Sequence, residues 1–379
     1  MSTSIYVHIP FCLKRCIYCD FVSGIYEAGN AAAYIKALKR EILTIPCGTS
    51  FSTLFIGGGT PTVLTADALR DLIAHIFDHL SFPDNYEATI EANPGTLDHE
   101  KLTVIREGGI NRISIGVQSF NDDELMLLGR VHTRSIAEKA VHLAEDAGFR
   151  NIGIDLIYGI PQQSMASWKE TLENATALRP QHIAAYELTV ENDTALSAAY
   201  REGILQSPDD ELTAEMYGHA IDHLSSAGYR HYEISNFSMP GYPCRHNLNY
   251  WDRGEYYGVG VAAHSFVKGG RFCNSGYLQN YLKTISDKRS PVRVIEDIKE
   301  DKALSEALFL GLRKTEGIKV ESFFKRYGVN ILTQFQDELA DMREQGLVEI
   351  ENSECSYETS LRLTRRGLLL SNEVFVKFI

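Results

Sequence analysis

Apolar positions fall along the chain in two alternating rhythms. Short, nearly continuous apolar runs at 5–9, 52–56, 87–91, 112–117, 151–157 and 182–188 predict strands covered on both faces. Between them, apolar residues three and four apart predict helices at 31–45, at 65–79, from near Asp98 onward, and at 122–128, 135–147 and 165–178. Tyr34, Leu38 and Ile42 form one such stripe, which Pro46 ends. Leu69, Leu72, Ile73 and Ile76 form the next, which Thr65 caps. Strands alternating with helices at steady intervals imply right-handed βαβ units. The fold class is therefore α/β, a partial (β/α)6 barrel of the TIM-like kind that six units leave open. Chemistry on such a barrel sits at the C-terminal ends of the strands. Cys12, the glycine run at 57–59, Glu91, Gln118 and Asp155 all fall at such ends and would share one rim.

Past Glu191 the rhythm breaks. A helix at 209–227, ended by Gly228, precedes a stretch rich in Gly, Tyr and His at 229–273 and a linker at 291–301. The tail from Lys302 reads as three helices, strands at 347–350 and 361–363, and a helix at 366–377. That order predicts a small C-terminal α+β, winged-helix-like domain. The expected division is 1–228 for the barrel, 229–300 for a barrel extension with linker, and 301–379 for the C-terminal domain. No repeat or low-complexity tract interrupts it.

Of 379 residues, 44% are hydrophobic and 23% charged, enough apolar material for a large core. The net charge of −13 disfavours an extended nucleic-acid contact, and the tail lacks a basic stripe, so no nucleic-acid partner is expected. Seven cysteines, three clustered and four scattered (Cys47, Cys244, Cys273, Cys355), do not make a disulfide framework. With no apolar run long enough to span a bilayer and no leader-like start, the expected location is the cytoplasm.

The clustered cysteines stand in Cys12-Leu-Lys-Arg-Cys16-Ile-Tyr-Cys19, directly after the first strand and Pro10. Three thiolates in one loop can hold three corners of an iron–sulfur cube and leave the fourth iron open. A structural zinc site wants four protein ligands, so a zinc knuckle is the alternative. Lys14 and Arg15 between the thiols would help keep them deprotonated. Gly57-Gly-Gly-Thr-Pro61 follows the second strand. Its glycines suit either a tight turn or a close approach to a ligand.

The CxxxCxxC spacing resembles the signature of the radical S-adenosylmethionine (radical SAM) superfamily. Tyr6-Val-His-Ile-Pro-Phe-Cys12, Gly57-Gly-Gly-Thr-Pro-Thr62, Glu91-Ala-Asn-Pro94, Gly116-Val-Gln-Ser-Phe120, Leu128-Gly-Arg-Val-His132 and Asp155-Leu-Ile-Tyr-Gly-Ile-Pro161 extend the likeness almost to the C-terminus. Together they resemble the oxygen-independent coproporphyrinogen III oxidase family. The resemblance implies a radical SAM barrel with a [4Fe-4S] cluster on Cys12, Cys16 and Cys19. It also implies S-adenosylmethionine held by Tyr6, Tyr18, Gly58, Gly59, Thr60, Glu91, Gln118, Arg130 and Asp155. Acids and amides suit the ribose hydroxyls and amino group, and Arg suits the carboxylate.

Two departures point from the oxidases to the haem-chaperone branch of that family. The oxidases carry a further Cys two positions after the third ligand, where this chain has Phe21, and an extension ahead of the cysteine loop. His246-Asn-Leu-Asn-Tyr-Trp251 matches the HNxxYW motif that the branch associates with haem. This implies haem as a third cofactor, with His246 as axial ligand and Tyr250 and Trp251 as flat apolar surface. Arg230 or Arg245 would pair with propionates, and Cys244 is a competing ligand. A buried structural histidine is the other reading of His246. The implied partners are haem and haem-accepting apo-proteins, with membrane-associated acceptors and a homodimer as candidates. The alternative activity is coproporphyrinogen III dehydrogenation, radical decarboxylation of propionate side chains.

Overall fold

The computed structural model describes residues 3–352 and 358–378; Cys355 lies outside them. Seven parallel strands form the centre of the main sheet. Six are the expected ones: β1 (Thr3–Ile9), β2 (Phe51–Gly58), β3 (Glu87–Ala92), β4 (Arg112–Gln118), β5 (Ile152–Tyr158) and β6 (His182–Glu187). They pair in chain order, each parallel to the next. Their residues are buried almost without interruption, because helices cover one face and the barrel interior the other. The covering helices are α1 (Ala28–Ile42), α2 (Ala66–His79), α3 (His99–Glu107), α4 (Asp122–Leu127), α5 (Arg134–Asp146) and α6 (Met165–Ala177). Thr65 caps α2 through its side chain, as its position before an apolar stripe predicts, and Asp98 does the same for α3.

The region 229–297 carries strands that no periodicity marks. It extends the barrel sheet at both edges. On one side, β7 (Arg230–Glu233) and β8 (Asn236–Ser238) form a hairpin whose second strand pairs antiparallel with β6. On the other, β9 (Tyr256–Val259) lies parallel to β1, and β10 (His264–Val267), β11 (Gly270–Asn274) and β12 (Val292–Asp297) continue as an antiparallel meander. Among the described residues the sheet order is therefore β12-β11-β10-β9-β1-β2-β3-β4-β5-β6-β8-β7. Most of the expected linker at 291–301 is strand β12.

Buried Glu41 of α1 locks the seventh parallel strand in place. Its carboxylate accepts from Gly260 N (2.8 Å), Asn274 Nδ2 (2.6 Å) and Tyr281 Oη (2.5 Å). Between β7–β8 and β9 runs the short helix α7 (Arg245–Trp251), which carries the HNxxYW residues. Glu87, at the start of β3, accepts from the first backbone N–H groups of that helix, Arg245 N at 3.1 Å and His246 N at 3.0 Å.

A second sheet of β13 (Ile318–Lys319), β14 (Val348–Asn352) and β15 (Thr359–Leu363), in the order β13-β15-β14, packs with the helices of the tail. It forms the expected C-terminal α+β unit with one more short strand than the sequence pattern shows. Among the described residues no helix is long and apolar enough to cross a membrane.

Candidate functional site

The site begins with two loops zipped together at the C-terminal rim. Gly59 N donates to Ile9 O and Thr60 N to Phe11 O, both at 2.8 Å, so the glycine loop after β2 lies against the cysteine loop after β1. Glycine is required here at two positions. Gly58 has φ +114°, and a Cβ on it would stand 2.6 Å from the His8 ring; one on Gly59 would stand 2.8 Å from Phe11 O and 3.0 Å from Cys12 Sγ. Thr60 Oγ1 approaches the same sulfur at 3.6 Å. The far end of the cysteine loop is pinned by Ile17 N to Leu128 O at 3.2 Å, in the segment that brings in Arg130.

Cys12, Cys16 and Cys19 line one side of a cavity of about 640 Å³ that descends into the barrel. Among the described residues no three His, Cys, Asp or Glu side chains converge on a position for one ion. A cation beyond the two expected stands against these sulfurs. Arg130 Nη1 stands 3.5 Å from Cys16 Sγ, whereas Arg15 directs Nε and Nη2 to the Cys19 carbonyl at 3.2 and 3.0 Å. Burial pushes the Cys19 thiol above its ordinary range, opposed by the Phe21 backbone and, less strongly, by Arg15.

Tyr6, Tyr18, Gly58, Gly59, Thr60, Glu91, Gln118, Arg130 and Asp155 all line the same cavity, so the expected set converges on one space. Gln118 sits at a bulge between β4 and β5 and has φ +71°, a conformation unusual for a residue with a side chain. Its amide lies where a side chain on Gly116 would be, 2.8 Å from that Cβ position, so Gly116 makes the room. Arg130 donates Nη2 to Gly116 O at 2.6 Å and leaves Nε without a partner. Glu91 accepts from Gly58 N at 3.0 Å, and Asp155 from Ser114 Oγ at 3.0 Å. Burial, reinforced by Asp155, raises the Glu91 carboxyl to about 7; burial also raises Asp155. Two buried acids that resist ionisation are suited to a ligand that brings positive charge and hydroxyl groups.

The HNxxYW residues divide between two neighbourhoods. His246 and Tyr250 line the cavity, whereas Trp251 lies under the Arg313 guanidinium of the C-terminal unit, 4.4 Å from its ring centre. Both nitrogens of His246 are engaged: Nδ1 with Thr53 Oγ1 at 2.7 Å and Nε2 with Tyr250 Oη at 2.9 Å. Burial lowers its ring to about 3, so it is neutral at physiological pH. Cys244, also in the cavity wall, is pushed up to about 12 by burial and is a thiol. The expected propionate partners are elsewhere. Arg230 is exposed on β7, and the Arg245 guanidinium bonds to Asn85 O on the outside. The cavity instead holds two basic residues that motif reading passes over, Arg112 and His182. The period-two run of Arg112, Ser114 and Gly116, polar or small residues facing inward from β4, is the signal that could have found the first.

A family model described as the Radical SAM superfamily matches residues 6–175, and one described as the HemN C-terminal domain matches residues 298–370. The heme chaperone HemW of Lactococcus lactis subsp. lactis (strain IL1403) is 37% identical over 377 residues, 99% of this chain and 97% of its own length. That of Bacillus subtilis (strain 168) is 37% identical over 382 residues, 99% of each chain. Among solved structures, the coproporphyrinogen III oxidase HemN of Escherichia coli, described as a radical SAM enzyme, superposes with a TM-score of 0.85. It is 24% identical, and the match covers 100% of this chain and 90% of that one, which establishes the common fold. The motifs, the barrel and these likenesses agree: the chain belongs to the radical SAM superfamily and, within it, to the family of haem chaperones known as HemW.

Proposed function

We propose that the protein binds a [4Fe-4S] cluster, S-adenosylmethionine and haem, and delivers the haem to acceptor apo-proteins in the cytoplasm or at a membrane surface. One observation carries this reading. Three thiols, a glycine cradle and a matched set of acids, amide and arginine share one cavity with His246 and Tyr250 of the HNxxYW helix.

Cys12, Cys16 and Cys19 would hold three irons of the cluster, whose fourth iron supplies an open coordination position when bound. Gly58, Gly59 and Thr60 offer backbone to the methionine part of the ligand. Arg130 Nε offers a donor to its carboxylate, and Glu91 with Asp155 offers acceptors to its amino and ribose groups. Phe21, in place of a further thiol, lines the mouth of the same cavity. For haem, His246 supplies a neutral imidazole. The nitrogen that would serve is Nε2, which Tyr250 Oη engages at 2.9 Å. The cluster and S-adenosylmethionine would support transfer or pairing of two copies, and the parts 1–228, 229–300 and 301–379 would serve as scaffold, haem helix and docking unit.

Anaerobic reconstitution with iron and sulfide tests the reading. The expected result is a cluster spectrum lost in Cys16→Ala and perturbed by S-adenosylmethionine, followed by a Soret band on haem titration that His246→Ala weakens. Zinc without sulfide in oxygen-free preparations, or decarboxylation of coproporphyrinogen by the reconstituted protein, would overturn the chaperone reading.

A further inference from the structure

The cavity does not end at the residues assigned above. Arg112 and Ser114 point inward from β4 below Gly116, and each pair of residues descends about 7 Å along a strand. Arg112 therefore lies well below the rim. It is only 2% exposed, yet its guanidinium forms no ion pair or side-chain hydrogen bond among the described residues, and its Nε has no partner. Burial works against this charge and nearby groups, Glu87 and Asp155 among them, offset it electrostatically, but the guanidinium makes no hydrogen bond with them and its donors stay free for a ligand. The nearby carboxylates have other contacts: Glu87 receives the first N–H groups of α7, and Asp155 receives Ser114.

Beside it stands His182, at the start of β6 and 1% exposed. Its Nε2 is 2.8 Å from Tyr232 Oη, which in turn accepts from Cys244 N at 3.2 Å. The Tyr232 hydroxyl then has its own proton to give, and His182 Nε2 is the acceptor in reach. In the neutral ring this places the proton on Nδ1, which has no partner. Between the two donors, β5 carries a glycine. A Cβ on Gly153 would lie 3.2 Å from Arg112 Nη2 and 3.5 Å from His182 Nδ1. Gly153 thus leaves just enough room for both donors to stand side by side, with Ser114 Oγ 3.1 Å from the same position, and neither donor has a hydrogen-bonding acceptor among the described residues.

We infer that Arg112 and His182 form a carboxylate-binding floor to the cavity, which receives a propionate-type arm of a ligand whose body sits nearer the rim. That the arm belongs to a porphyrin rests on the haem reading above; the floor itself rests on the unpartnered donors. Arg112 takes the place that the sequence assigned to Arg230 or Arg245.

Titration of free-base mesoporphyrin IX and its dimethyl ester, followed by porphyrin fluorescence, tests the floor without iron ligation. The wild-type protein is expected to bind the diacid about tenfold more tightly than the ester, and Arg112→Gln to lose that preference with ester affinity nearly unchanged. Should Arg112→Gln not fold, Arg112→Lys is expected to reduce the preference about three- to fivefold. An unaltered preference in whichever variant folds would overturn the inference and leave Arg112 as a counter-charge for Glu87 and Asp155. If neither porphyrin binds the wild type, the haem titration of the preceding subsection judges the haem reading and 3-phenylpropionate decides about the floor. A rise in melting temperature that Arg112→Gln or Arg112→Lys abolishes supports the floor, and no rise in the wild type overturns it.

Discussion

Glu91 shows how one residue links binding to protonation. Its carboxyl sits at about 7 in the folded chain against an ordinary 4.5. Between those values the folded state holds a proton that the unfolded state releases. The stability this residue contributes is therefore full below about pH 4.5 and is lost as pH rises through 7. Thermal scans of the ligand-free protein from pH 4.5 to 7.5 should show a decline that is shallower in Glu91→Gln. The ammonium group of S-adenosylmethionine favours the ionised acid, so affinity should be weaker at pH 6 than at pH 8, and Glu91→Gln should remove most of that difference. Gly58→Ala is the companion test. The methyl group would meet the His8 ring at φ +114°, so a loss of about 1–3 kcal/mol in unfolding free energy is expected, with a displaced glycine loop. At this scale motifs made the rim residues legible. Arg112 was not, because its only signal is the period-two run with Ser114 and Gly116, and that run shows a shared face without showing that the face is the cavity.

At the scale of elements, the strands and helices of the first 190 residues follow the apolar rhythm closely, since each buried face must repeat at its own period. The seventh parallel strand does not announce itself. Tyr256–Val259 is four residues long, and its partner β1 lies at the other end of the chain, so no local pattern encodes the pairing. β12 escapes notice for a related reason: it is an exposed edge strand after a proline, which looks like a connection. What holds the added strand is a single buried acid. Glu41→Gln leaves one oxygen where two received three donors, and sets an amide N–H against them. Urea unfolding should show a loss of about 1–3 kcal/mol, while Glu27→Gln, exposed just before the same helix, should be near neutral.

Across the whole molecule, the C-terminal unit is fastened to the barrel through the surroundings of α7. Arg313 covers Trp251, Arg326 donates to the backbone of Asp252 and Arg253, Lys314 pairs with Asp252 at 2.6 Å, and Arg253 pairs with Glu306 at 3.0 Å. Further round, Arg365 clasps Asp222. Arg313→Ala should loosen this attachment by about 1–2 kcal/mol. Faster proteolytic cutting within 291–299 and a weaker Soret band on haem titration are the expected readings. Cutting that accelerates while haem affinity stays unchanged would show the two ends of α7 to be independent.

Two turns of helix, then, serve two masters. His246 and Tyr250 look inward to where cargo would rest, while Trp251 next door is gripped by the tail. A strain applied to the tail would therefore reach those inward-looking side chains through one short helix, without anything entering the barrel's mouth.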